Sequence, residues 1–256
     1  MGSTHTRPDA HTRGAAGVVP AMQIERLLPP AKQLLTLKID EATSDSWLWE
    51  HSERVLRLAQ MIAMLPALAA ASADLAALAA AALFHDAGWV VEFQQGRWKR
   101  WQILGRPTND IQRELGAALL QEHVGLLLPG ATMRLACEAI RQCNDRSTTL
   151  LEARLLAEAE ALDEVGTMYV LRQLRQYQAE GRPLQQLANG WQRQKEYKYW
   201  ELRLSEGFRY EATRELARRR LEAVDAFVTA FARDLHGSDV RQLLADAGRP
   251  MAPEPA

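Results

Sequence analysis

The chain has little cysteine, few aromatics and no surplus of either charge. Only Cys137 and Cys143 occur in 256 residues, which excludes a disulfide framework and suits a reducing compartment, so a cytoplasmic location is expected. Lys and Arg total 31 against 32 Asp and Glu, a balance that exerts no overall pull toward nucleic acid or a membrane surface. Alternating strand-like runs bounded by turn dipeptides are hard to find. The first twenty residues lack the continuous apolar run of a signal peptide. From Met61 to Leu83 the chain is rich in alanine, yet Pro66, Ser72 and Asp74 interrupt it. It reads as two helices and a turn, not as a membrane span.

What is present is helical periodicity. Apolar residues recur at steps of three and four through nearly every long segment, and the fold is expected to be all-α, a compact multi-helix bundle. Candidate helices run from Met22 to Asp40, Ser46 to Leu65, Ser72 to Asp86, Asn109 to His123, Gly130 to Gln142, Thr148 to Ala179, Pro183 to Ser205 and Ala212 to His236. Gly88 to Pro107, with Gly96, Gly105 and three tryptophans, is the one long connection. With 47% apolar and 25% charged residues, a single globular domain over residues 22–236 is expected. Residues 1–21 are read as a disordered leader and residues 237–256 as a flexible tail, whose last nine hold three prolines.

The most informative feature is His85-Asp86, closing the apolar run Leu75-Ala-Ala-Leu-Ala-Ala-Ala-Ala-Leu-Phe84. A buried imidazole beside a carboxylate needs a partner or a metal. On the preceding helix His51, Val55, Leu58, Ile62 and Leu65 share one face, and on the next Leu75, Leu78, Ala82 and His85 do the same. Two inward histidines on successive helices, with an adjoining aspartate, suit a divalent ion better than two separately satisfied core histidines.

These segments resemble the HD-domain superfamily of metal-dependent phosphohydrolases. Trp49-Glu-His-Ser-Glu-Arg-Val55 is similar to its first histidine helix and Ala81-Ala-Leu-Phe-His-Asp-Ala-Gly88 to its His-Asp helix. The segment from Thr149 to Gly166 is similar to the one that brings a final aspartate. Three positions depart from the family pattern. Glu160 stands where the last aspartate is expected, with Glu158 where an earlier one often stands. Trp89 replaces a lysine, and Cys143 occupies the place of an additional histidine, which argues against a second metal.

The resemblance implies one divalent cation (Mn, Fe, Co, Ni, Zn or Mg) on His51, His85, Asp86 and Glu160, with Asp86 also orienting the attacking water. A small phosphorylated substrate, a nucleotide for preference, is the implied partner. Arg54, one turn beyond His51, is the candidate phosphate contact. Lys99 and Arg100 on the long connection are candidates to close over an anion, with Trp98 or Trp101 stacking on a base. The segment Trp191 to Trp200 and Arg214, Arg218, Arg219 and Arg220 invite a nucleic-acid reading. The interspersed Glu196, Glu201, Glu211, Glu215 and Glu222 favour a solvated, paired face instead. Neither a membrane nor a nucleic-acid partner is expected, and a homo-oligomer stays open. The alternative is an HD fold that has lost catalysis and serves as a ligand-binding or scaffold module. An oxygenase on the same fold would need more histidines after His85 than His123 supplies, and His123 suits the end of its helix.

Overall fold

The structure is a computed structural model that describes residues 18–68 and 72–248. Its helices are α1 (Val18–Leu35), α2 (Trp47–Ala63), α3 (Leu75–Phe84), α4 (Gly88–Gln94), α5 (Asp110–Val124), α6 (Gly130–Gln142) and α7 (Leu151–Glu164). They continue as α8 (Thr167–Glu180), α9 (Gln185–Glu196), α10 (Tyr199–Gly207), α11 (Glu211–His236) and α12 (Ser238–Asp246). Two strands of two residues each, β1 (Leu37–Lys38) and β2 (Ser44–Asp45), pair antiparallel between α1 and α2. Asp40 accepts from the backbone N–H groups of Ala42 and Thr43 and so folds the turn between them.

The architecture is all-α, built around α3. Ala76 to Phe84 are all buried, because a helix apolar on every side can be covered only by neighbours on every side. Those neighbours are α1, α2, α5, α6 and α7. The small alanine side chains let them approach closely. Asp74 starts α3 by accepting from the N–H groups of Ala76 and Ala77, both at 3.0 Å. The window Leu75–Gln94 is long and apolar enough to cross a membrane by composition, and 89% of it is buried inside the protein.

Two expected helices are each broken. The run from Thr148 to Ala179 divides into α7 and α8 at Gly166, whose φ of +90° suits glycine. The run from Pro183 to Ser205 divides into α9 and α10 at Lys198, held at φ +54°. The expected flexible tail contains α12 before its prolines begin, and within the long connection α4 and a 3-10 turn at Arg100–Gln102 take shape. Of the expected leader, residues 1–17 lie outside the described residues, and α1 starts at Val18.

Helices α8 and α11 contact α7, and α9 and α10 pack with α11. Tyr169, Trp191 and Trp200 pack ring against ring there, with Trp191 and Trp200 centroids 5.4 Å apart. Trp191 donates its indole N–H to Asp225 at 2.7 Å. Arg214 pairs with Glu211, and Arg218 and Arg219 both pair with Glu215. Tyr169, Trp191 and Trp200 thus serve packing, and Arg214, Arg218 and Arg219 are paired with nearby carboxylates.

Candidate metal centre

His51 lies on the buried face of α2, and His85 and Asp86 form the turn between α3 and α4. All three are buried. The turn is where it is because α5 presses against it. A Cβ on Gly88 would stand 2.2 Å from the Gln112 carbonyl oxygen, and one on Gly116 would stand 2.7 Å from that of Phe84. Glycine at both places admits the close backbone approach.

The three ligand atoms converge. His51 Nε2 is 3.2 Å from His85 Nε2 and 3.2 Å from Asp86 Oδ2, which is 3.5 Å from His85 Nε2. The far sides of both rings are engaged. His85 Nδ1 donates to the Ala82 carbonyl at 2.9 Å, and His51 Nδ1 donates to Asp163 Oδ2 at 2.8 Å. Asp163 is in turn held by Arg54 at 2.7 Å and by Arg172 at 3.0 Å. Those donors keep the carboxylate ionised, and it is the acceptor that fixes the His51 proton on Nδ1. Two Nε2 lone pairs then face each other across 3.2 Å. Such a pair repels unless a proton or a cation stands between them, and orientation of each ring through its other nitrogen is the usual support of a histidine ligand. The residues therefore fit a divalent ion.

The electrostatics agree. Burial disfavours the imidazolium of His51, yet the bonds to Asp163 and Asp86 outweigh it and raise its pKa. Burial depresses His85, with Arg113 and His51 adding to the effect. Burial opposes ionisation of Asp86, but His85 and Arg113 hold its carboxyl well below the usual carboxylate range. The pocket thus holds an anionic oxygen between nitrogens that compete for a proton or a metal.

Around this core stand residues that the sequence reading did not single out. Thr108 donates to Asp86 Oδ1 at 2.6 Å and accepts from the Trp89 indole at 2.9 Å. Trp89, which departs from the family's lysine, is thus a buried link that positions Thr108. Arg113, 1% exposed, donates from Nη1 to Asp86 Oδ1 at 2.8 Å and from Nη2 to both oxygens of Glu160, at 2.6 and 2.7 Å. Its signal in the sequence was an arginine in register with Gly116, Ala117, Leu120 and Val124 on the inner face of α5.

Two expected site residues are placed differently. His51, His85 and Asp86 offer ligand atoms within 4.8 Å of one another, and Glu160 is not among them. Both of its oxygens are taken by Arg113. Arg54, expected to contact phosphate, gives its fork to Asp163 behind His51. It lines a different cleft, of about 380 Å³, with Arg57 and Arg220. Glu158 accepts from the Arg209 N–H and the Thr213 hydroxyl, away from the centre. Cys143 is buried beside Arg113, and burial pushes its thiol up to about 12. Lys99 and Arg100 face outward, whereas Arg106 stacks over Trp98 at 4.2 Å and Trp89 at 5.6 Å.

Residues 48–165 match the HD domain family. This chain carries an HD domain. Its matched segment begins just before His51 and ends just after Asp163, so it encloses the whole centre. Among solved structures, Bacillus subtilis YpgQ in complex with ADP is similar at 19% identity and a TM-score of 0.56, over 85% of this chain and 97% of that one. A predicted HD superfamily hydrolase from an uncultured Thermotogales bacterium is similar at 21% identity and a TM-score of 0.50, over 82% and 92%. These likenesses extend the shared fold beyond the HD segment into the helices that follow it. No curated protein matches the sequence.

Proposed function

We propose that this protein is a metal-dependent phosphohydrolase that acts on a small phosphorylated molecule, a nucleotide, through one divalent ion held by His51, His85 and Asp86. The observation that carries the reading is the pair of mutually facing Nε2 atoms beside Asp86 Oδ2. Three protein ligands with positions left for water and substrate are the pattern of catalytic sites, whereas structural sites are closed. The ion, when bound, would polarise a phosphoryl oxygen and acidify a water.

The chain's own residues do the rest. Asp86 Oδ1 is fixed by Thr108 and Arg113, so Oδ2, beside His51 Nε2, would be the oxygen to hold an ion and orient a water. A cleft of about 270 Å³, lined by Arg113 and Glu160, also carries Asn144, Arg146, Arg203 and Arg209. An adjoining one of about 170 Å³ shares Arg203 and adds Arg106, Arg172, Tyr199 and Trp200. Guanidinium groups suit phosphate oxygens and the aromatic faces suit a base. The ADP bound to YpgQ supports a nucleotide on this fold.

The test is purified protein with a panel of divalent ions against nucleoside mono- and triphosphates and a generic phosphomonoester. Stoichiometric metal and hydrolysis are expected, and His85→Ala should lose both by elemental analysis and phosphate release. Metal-loaded protein that cleaves none of the substrates would leave the second reading, a scaffold or ligand-binding HD fold. The capture of Glu160 by Arg113 is what favours that alternative.

A further inference from the structure

The cleft of about 380 Å³ is formed by α2, the break between α7 and α8, and α11, and none of His51, His85 and Asp86 lines it. Its volume is that of a small-molecule pocket. Its wall carries three guanidinium groups, Arg54, Arg57 and Arg220, and one carboxylate, Asp163. That carboxylate is already shared with His51 and Arg172, so the wall keeps a surplus of positive charge. Arg220 is the decisive member. Its stem lies against Gly166, where a Cβ would meet Arg220 Cβ at 3.1 Å, so the left-handed glycine makes room for it. Its Nη1 donates to the Leu162 carbonyl, a neutral acceptor. Half-buried, it has no ion pair among the described residues. A cation withdrawn from water without a counterion is costly, and an anion in the cleft would relieve that cost. Arg54 gives Nε and Nη2 to Asp163, which leaves Nη1 over. Arg57 is exposed, and its carboxylate neighbour, Glu53 at 3.5 Å, stands outside the lining. Leu58, Met61 and Met168 supply apolar surface beside these charges.

We propose that this cleft is a second binding site, for a small organic phosphate whose dianionic group sits on Arg54, Arg57 and Arg220 and whose apolar body lies on Leu58, Met61 and Met168. Planar guanidinium forks suit phosphate oxygens, and a dianion matches the surplus charge where a single carboxylate would leave a cation unmatched. The site is separate from the clefts of about 270 and 170 Å³ assigned to substrate, with which it shares no residue. It needs no metal, and it stands or falls apart from the hydrolase reading.

Phenylphosphonate tests this, since it has the charge and an apolar ring but no ester bond to cleave. It is titrated calorimetrically into the full chain at mildly alkaline pH, where it is a dianion, with a chelator present. The wild type should bind it, and Arg220→Met and Arg57→Glu should each lose about tenfold or more in affinity, as expected for a hydrogen bond between charged groups. Arg203→Gln, which alters only the clefts beside the metal centre, should match the wild type. Benzoate, a monoanion with the same ring, should bind about tenfold more weakly than the phosphonate. No saturable binding, an unchanged affinity in either folded variant, or benzoate bound as tightly overturns the inference. A loss in Arg203→Gln instead also overturns it, and puts the phosphonate beside the metal centre, which leaves the hydrolase reading intact. Arg57 is exposed, so its replacement should spare the fold, and it decides alone if Arg220→Met does not fold.

Discussion

Asp163 touches no substrate and, in the arrangement described, no metal, yet His51 depends on it. Its carboxylate fixes the Nδ1 proton and so keeps Nε2 free to bind a cation. Removing that charge leaves every ligand in place and changes only the basicity and orientation of one ring. Asp163→Asn is therefore expected to weaken metal affinity by about 10–100-fold with the fold retained, measured by chelator competition. An unchanged affinity would mean that Arg54 and Arg172, not His51, are the partners Asp163 serves. His51, His85 and Asp86 were legible in the sequence because each breaks an apolar stripe with a side chain that must be paired when buried. Arg113 broke a stripe in the same way but was passed over. A long cation can reach the surface from many positions, and only the neighbouring glycines, read together with the turn they contact, reveal that this one does not. The pairing of Glu160 with Arg113 was hidden for the same reason, since its partner lies on another helix.

At the scale of elements, the site depends on α5 lying against the turn that carries His85 and Asp86. Gly116→Ala would set a methyl group 2.7 Å from the Phe84 carbonyl oxygen and 3.1 Å from that of His85. The helices must separate, and the expected loss is about 1–3 kcal/mol, as for an overpacked core. Urea denaturation of the metal-free protein measures it, and a variant as stable as the wild type would show that α5 does not fix the turn. The helical reading of the sequence located the elements well where one apolar face ran between clear stops, as in α6 from Gly130 to Gln142. It joined α7 to α8 and α9 to α10, because periodicity continues across a break. At Gly166 the chain turns through a left-handed conformation beside the Arg220 side chain, a contact 54 residues away that no local pattern encodes.

Across the molecule, the HD segment is tied to the helices that follow it by Glu158. Buried on α7, it accepts from the Arg209 N–H and from the Thr213 hydroxyl at the start of α11. Burial raises its pKa above the ordinary value of 4.5, only partly offset by those bonds. A group that holds its proton more tightly when folded contributes stability that is fully present below the unfolded value. That contribution is lost as pH rises through the folded one. Glu158→Gln should flatten this part of the pH dependence, read from urea midpoints across about pH 4 to 7. A slope identical to that of the wild type would show that Glu158 titrates normally.

His51 and Asp163 are bonded although 112 residues separate them, and His51 and His85 meet across 34. A cation at that junction fastens distant stretches of chain into closed circuits, and such crosslinks restrict an unfolded chain most when the enclosed span is long. Under the proposed reading, loading an ion would help decide whether the middle of the protein stays assembled as well as whether it can react. Scarcity of metal would be felt first as looseness among α2, α3 and α7.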